Sequence, residues 1–349
     1  MTVITSAEQF NVPDLFIDLT PTLGRRLLLK CEGLNLAGSV KLKAAMSMLD
    51  VAERAGTLIP GGHLVESSSG NLGVALAMAS ASRGYEFHCV TDTRCTPASL
   101  AMMRAFGAEV VVVSEPHPQT GLLGARLAAV SAMLQENPSW FWPNQYANEA
   151  NWRGHYATTG PEILAGAGVP DVVFVGAGTC GTLIGVMRYL RDHSPSTRVV
   201  AVDSVGSVTF GTPAATRHIP GLGAGVRPPL LDPVEPDEVL LVEEAETVRA
   251  AKALARSGFL LGGSTGTVVA AAATWLARHG RDDILAVAIA PDLGERYLTT
   301  VHDDSWVRNR YGDEATRPAR LGAQDGITRL DLRVPTPFEP AVDAAPATR

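Results

Sequence analysis

Short runs of apolar, often β-branched residues recur along the chain, separated by longer alanine-rich stretches. The runs at 27–31, 63–66, 86–91, 109–113, 172–175, 199–202, 238–242 and 284–289 predict strands. The stretches Ala44–Arg54, Leu72–Ser82, Pro97–Phe106, Leu122–Leu134, Thr182–Arg191, Ala245–Arg256 and Thr267–His279 predict helices. The strand runs are nearly continuous in apolar residues instead of alternating with polar ones. Such strands are covered on both faces, as in a mostly parallel sheet flanked by helices. The pattern therefore predicts an α/β protein. The segment Pro138–Tyr146 (PSWFWPNQY) interrupts the alternation with two prolines and predicts a domain boundary nearby. The tail, VPTPFEPAVDAAPATR, is expected to be disordered.

Composition narrows the picture. At 349 residues the chain is long enough for two domains, and 46% hydrophobic residues supply a sizeable core. The formal charge of -7 disfavours nucleic acid as the main partner, because such binders need a basic face. The start, MTVITSAEQFNVPDLF, lacks the pattern of a secretory signal, and no apolar run is long enough to span a bilayer. Four scattered cysteines (Cys31, Cys89, Cys95, Cys180) with no CxxC pair suggest reduced thiols in the cytoplasm and no zinc site.

Three strand-to-helix turns are rich in small residues: Glu66–Gly73 (ESSSGNLG), Gly176–Thr182 (GAGTCGT) and Gly262–Gly266 (GGSTG). In α/β proteins such turns lie at the carboxyl ends of strands, where helix N-termini offer free N–H groups to ligands. Each also has a plain reading as a tight turn. Taken singly, two of them imitate other chemistry. Gly176, Gly178 and Gly181, with Asp203 after the next strand, match a dinucleotide fingerprint. Gly262–Gly266 matches a nucleophile elbow, with Asp292 and His302 downstream, but only 85 residues follow Ser264. A fourth feature is Gly38-Ser-Val-Lys41, just ahead of the helix expected from Ala44. The positive end of a helix disfavours an ammonium, so Lys41 is a candidate Schiff-base lysine.

Together, Gly38–Lys41, Ser68–Asn71, Gly178–Thr182, Gly262–Ser264 and Asp292–Tyr297 stand in an order that resembles the cysteine synthase and cystathionine β-synthase family. These are pyridoxal-phosphate enzymes of the second fold type, similar to the tryptophan synthase β chain. The resemblance covers residues 18–310 and accounts for all three turns and Lys41 at once, which the dinucleotide and hydrolase readings do not. It implies two α/β domains with the cofactor between them: a large one from 1–45 and 151–330, a small one from 46–150, and a disordered tail at 331–349. It implies that Lys41 binds the cofactor and acts as base. Asn71 would meet the ring hydroxyl, Gly178, Thr179, Cys180, Gly181 and Thr182 the phosphate, and Ser264 the ring nitrogen. Ser67, Ser68, Ser69, Gly70 and Gln145 would grip the substrate carboxylate. A homodimer is implied as well.

Two departures from the family pattern are visible: Leu72 where a hydroxyl is usual, and Cys180 where glycine is usual. With Asp203–Phe210 and Gly294–Trp306, Leu72 resembles a narrower branch. That branch opens 2,3-diaminopropionate formation for siderophores and peptide antibiotics. Its members join O-phospho-L-serine to L-glutamate, giving N-(2-amino-2-carboxyethyl)-L-glutamate and phosphate. An acetylserine or phosphoserine sulfhydrylase is the alternative, and a non-catalytic cofactor-binding protein a third class, against which intact Lys41, Asn71 and Ser264 argue. A phosphorylated donor and a dicarboxylate nucleophile require cations. Arg217 is the first candidate, then Arg227, with His218, Arg153 and His155 behind them.

Overall fold

In the computed structural model, residues 3–231, 235–279, 283–323 and 325–330 are described; the tail at 331–349 lies outside them. The first part of the chain forms β1 (Phe16–Asp18), α1 (Thr20–Leu23), β2 (Leu27–Cys31) and α2 (Lys41–Ala55). Next come β3 (His63–Ser67), α3 (Asn71–Arg83), β4 (Glu86–Asp92), α4 (Pro97–Ala105), β5 (Glu109–Val113) and α5 (Gly121–Glu136). Then follow α6 (Ala150–Ala157), α7 (Thr159–Ala167), β6 (Val172–Gly176), α8 (Gly181–His193), β7 (Arg198–Ser204), β8 (Glu238–Val242) and α9 (Glu244–Arg256). The last are α10 (Gly263–His279), β9 (Ala286–Ala290), α11 (Asp304–Tyr311) and β10 (Ile327–Leu330).

Seven strands form one sheet in the order β1-β2-β9-β6-β7-β8-β10. Its five central strands are parallel, and the two short edge strands β1 and β10 pair antiparallel. The second sheet is β3-β4-β5, all parallel. The fold is thus α/β with mostly parallel sheets. Buried side chains cover both faces of the larger sheet: Phe174, Val200 and Leu240 pack with α10 on one side, while Val173, Val199 and Val287 pack with α7 and α8 on the other. This is why its strands read as unbroken apolar runs.

Each predicted strand is present, with ends shifted by a residue or two. Two helices start earlier than their apolar period suggests, and both corrections bear on the site. The helix expected from Ala44 begins at Lys41, and the one expected from Thr267 begins at Gly263. Lys41, Lys43, Ser264 and Thr265 occupy those first turns, where polar side chains hide the apolar spacing. The helix α2 is shared between the two halves: Leu42, Ala45, Met48, Leu49 and Ala52 lie in the same core as Leu64 and Leu76 of the small-sheet layer. Its Lys43 instead reaches Glu32 and Glu162 beside the larger sheet.

Candidate active site

Between the two sheets lies a cavity of about 610 Å³, lined from both sides by the loops at strand carboxyl ends. The structure brings together in its wall Lys41, Ser68, Ser69, Gly70, Asn71, Gln145, Gly178–Thr182, Arg217, His218 and Ser264. These segments are far apart in the chain and meet because β3, β6 and α10 all point their loop ends at one space.

Lys41 heads α2. Burial holds its ammonium below the usual lysine value, although Asp292 and Cys180 nearby favour the charge. Desolvation is therefore the main cause, with no need to invoke the helix-end field expected from the sequence. Asn71 heads α3. Its Oδ1 accepts from Arg296 Nη1 at 2.6 Å and its Nδ2 donates to Asp292 Oδ2 at 3.4 Å. A guanidinium can only donate, so the amide is fixed with its N–H side away from Arg296. Asp292, fully buried, also accepts from Tyr297 Oη at 2.5 Å and Thr265 Oγ1 at 3.1 Å. Burial raises its pKa above the ordinary carboxylate value.

Ser264 is 2% exposed, and its Oγ has no hydrogen-bond partner of proper geometry, though it lies close enough to bias the Asp292–Tyr297 pair. A buried hydroxyl left unpaired costs free energy, about 1–3 kcal/mol, unless a ligand completes it. Gly221, at φ +109, passes so close that a Cβ there would overlap Ser264 Oγ. A Cβ on Gly178 would meet the Gly221 carbonyl at 2.9 Å. The loop is thus built without side chains where a flat ring and an anion could enter. At its centre Cys180 adopts φ +67, the left-handed region that favours glycine. This explains why glycine is usual there. Cysteine is accommodated with its side chain buried beside Leu183 and Ile184, and its thiol pKa is pushed up by that burial. Asn151 Nδ2 donates to Thr179 Oγ1 at 3.1 Å, and His155 Nε2 lies 3.2 Å from Thr182 Oγ1. The first N–H groups of α8 have no intrahelical partner. An orphaned hydroxyl at one end, a cradle of helix N–H groups and threonines at the other, and a desolvated lysine between them fit pyridoxal phosphate.

The Ser67–Gly70 loop, expected to grip the substrate carboxylate, is braced from below. Ser68 Oγ accepts from Gly70 N and Gly73 N at 3.2 and 2.8 Å, which fixes the turn. Ser67 does not line the cavity; it is fully buried, and its carbonyl accepts from Gln145 Nε2 at 2.9 Å. Under both sits Glu66, accepting from Ser67 N, Gln145 N and Trp142 Nε1. Its burial pushes the carboxyl up to about 7.

The candidate cations separate. Arg217 lines the cavity, donates to the Leu222 carbonyl at 2.9 Å, and keeps a buried Nε without a hydrogen-bond partner. His218 lines it too, but exposed. Arg227 donates to the Thr209 carbonyl at 3.2 Å and is not in the wall. Arg153 is a surface residue paired with Glu149 at 2.6 Å, so it is no substrate cation. His155 is completely buried, and burial followed by Lys43 and Lys41 holds its pKa well below the ordinary histidine value. It is a neutral group, not a cation. Three arginines that the sequence reading did not weigh as cations line the cavity: Arg296, tied to Asn71, and Arg94 and Arg126, which lie 3.5 and 3.0 Å from the same buried Asp92, Arg126 also facing Tyr146. A lone charge inside the apolar helix GLLGARLAAV was the available signal for Arg126.

The rival readings lose their parts. Asp203 is fully buried and accepts from the Ser204 N–H at 2.8 Å, out of reach of a ribose. His302 Nε2 meets the Leu261 carbonyl at 3.1 Å, not Ser264 or Asp292. Among the described residues, no group of His, Cys, Asp and Glu is placed to hold a metal ion.

Comparison with known proteins gives the same direction. The family described as pyridoxal-phosphate dependent enzyme matches residues 16–289. The N-(2-amino-2-carboxyethyl)-L-glutamate synthase of Cupriavidus metallidurans is 42% identical over 305 residues, covering 86% of each chain. The protein of the same name from Ralstonia nicotianae is 40% identical over 280 residues, covering 80% of this chain and 82% of its own. Among solved structures, O-ureido-L-serine synthase superposes with a TM-score of 0.77 at 31% identity, covering 88% of this chain and 99% of that one.

Proposed function

Because the chain belongs to the pyridoxal-phosphate dependent enzymes, we propose that it joins O-phospho-L-serine to L-glutamate, releasing phosphate and forming N-(2-amino-2-carboxyethyl)-L-glutamate, a precursor of 2,3-diaminopropionate. The observation that carries this choice is the cavity wall, where Arg217 stands with Arg94 and Arg126, two guanidiniums that share the single carboxylate of Asp92. A phosphoryl group and a dicarboxylate are served by guanidiniums in the wall; an acetyl donor and sulfide have no such need. The two relatives of 40–42% identity that carry this activity in their name support it.

When bound, pyridoxal phosphate supplies an electron sink that makes the Cα proton of an amino acid acidic and its β-substituent labile. Lys41 would hold it covalently, Asn71 would donate to the ring hydroxyl, Ser264 to the ring nitrogen, and Gly178–Thr182 to the phosphate. Lys41 Nζ would also be the base that takes the Cα proton, and its desolvation favours the neutral amine that such a base requires. Ser264 would give that hydrogen bond without delivering a full proton, which would favour loss of the β-group over transamination. Ser68–Asn71 and Gln145 orient the substrate carboxylate. Arg217, with Arg126, would receive the phosphoryl oxygens, and Arg94 would meet the carboxylates of the incoming glutamate.

This reading includes residues 46–150 as the small domain, and a cytoplasmic homodimer acting on amino acids. Among the described residues no helix is long and apolar enough to cross a membrane. The deciding experiment mixes the enzyme with O-phosphoserine and glutamate and follows the product by mass spectrometry. The glutamate adduct is expected. Cysteine formed from sulfide, with no adduct from glutamate, would overturn the reading in favour of a sulfhydrylase.

A further inference from the structure

Four ionic side chains are packed together beside the larger sheet, with Lys30 and Glu32 buried, Lys43 nearly so and Glu162 partly open to solvent. Lys30, 1% exposed in its side chain, contacts Glu32 at 3.3 Å and Glu162 at 2.9 Å. Lys43 contacts the same two carboxylates at 2.9 and 2.5 Å. Replacing such a cluster by apolar residues is often stabilising, so its presence asks for another reason. Lys43 also donates to Thr159 Oγ1 at 3.3 Å. Thr159 Oγ1 lies 3.0 Å from His155 Nδ1, and His155 Nε2 lies 3.2 Å from Thr182 Oγ1. A continuous line of hydrogen bonds thus runs from the ion cluster through a buried imidazole into the loop at the start of α8.

We propose that His155 is a positioning residue: with Thr159 and Lys43 it forms a one-way hydrogen-bond relay that turns the Thr182 hydroxyl proton toward the cofactor phosphate. The inference rests on the reading of Thr182 as a phosphate contact. The direction follows from the two ends. An ammonium has three donors and no lone pair, so Thr159 Oγ1 must accept from Lys43. Its own hydroxyl proton is then available to His155 Nδ1, which leaves the imidazole proton on Nε2. That proton goes to Thr182 Oγ1, and the hydroxyl proton of Thr182 points outward. A phosphate at the far end is an acceptor and requires that same polarity. Reversing the chain would present it with lone pairs. Burial among cations keeps His155 neutral, and only a neutral ring can accept at one nitrogen and donate at the other.

The test uses two independent readouts. In the 15N-histidine-labelled holoenzyme, the ring whose signal disappears in His155→Gln should carry its proton on Nε2 throughout the neutral range. Finding it on Nδ1, or on both nitrogens, overturns the relay. Separately, Thr159→Val and His155→Gln should weaken pyridoxal phosphate about tenfold, the order of one lost charge-assisted hydrogen bond, while leaving pyridoxal, which lacks the phosphate, unchanged. Equal weakening of both ligands, or of neither, refutes the proposal. Thr182→Val separates the premise from the inference. If it leaves pyridoxal phosphate binding intact, the phosphate-loop assignment falls too. If it weakens binding while the other two do not, only the relay falls.

Discussion

Arg217 illustrates what a single side chain contributes and what the sequence can say about it. Its guanidinium is clamped against the Leu222 carbonyl, so it holds its position before any anion arrives. Arg217→Ala is expected to raise KM for O-phosphoserine at least tenfold, the order of a lost charge-assisted bond, and to leave KM for O-acetylserine nearly unchanged. Steady-state kinetics with both donors checks this, and equal losses would remove Arg217 from the phosphoryl site. Lys41, Asn71 and Ser264 were legible because each sits in a short motif whose order along the chain is informative. Arg94 and Arg126 were not, since nothing local separates a cation facing a cavity from one facing water. The same holds for His155, which composition offered as a cation and packing turned into a neutral buried ring.

The elements that carry these residues are set by close contacts as much as by apolar period. The helix α6 was invisible in the sequence because ANWRGHYA mixes aromatic, charged and glycine residues with little amphipathic pattern. It is nonetheless the strut between α2 and α8. Gly154 lets it approach α2, where a Cβ would lie 2.8 Å from Ser47 Cβ, and Gly185 of α8 leaves room for the other side, where a Cβ would lie 2.6 Å from His155 Cβ. Gly185→Ala should therefore cost about 1–3 kcal/mol by overpacking and weaken cofactor binding, because His155 and Asn151 ride on the displaced helix. Chemical denaturation and a cofactor titration measure the two effects. Strands were the most readable elements, since burial on both faces writes an apolar run directly into the chain. The short edge strands β1 and β10, half in contact with solvent, left no such signature.

Across the whole molecule, buried carboxyls set a pH response. Glu66 titrates near 7 in the folded protein against 4.5 when exposed. A group that binds its proton more tightly when folded lends full stability below the lower value, and that stability drains away as pH rises through the higher one. The two and a half pH units between them correspond to about 3 kcal/mol. Glu66→Gln, which cannot ionise, should flatten the dependence of the urea midpoint on pH between 5 and 8; an unchanged slope would assign the response elsewhere. The α/β class and the order of the site segments could be read from the chain. The sharing of α2 between the halves could not, as it depends on which partner each face of one helix meets. The strand order has a consequence for the making of the protein. Because β2 lies between β1 and β9, with Leu29 paired to Ala288, the larger sheet is incomplete until nearly the whole chain has left the ribosome. The β3-β4-β5 sheet is built from one contiguous stretch and needs no such wait. During synthesis the smaller layer can therefore take shape first, while β2, already made, exposes an unpaired edge. From the synthesis of residue 31 to that of residue 290, β2 therefore stands without its β9 partner.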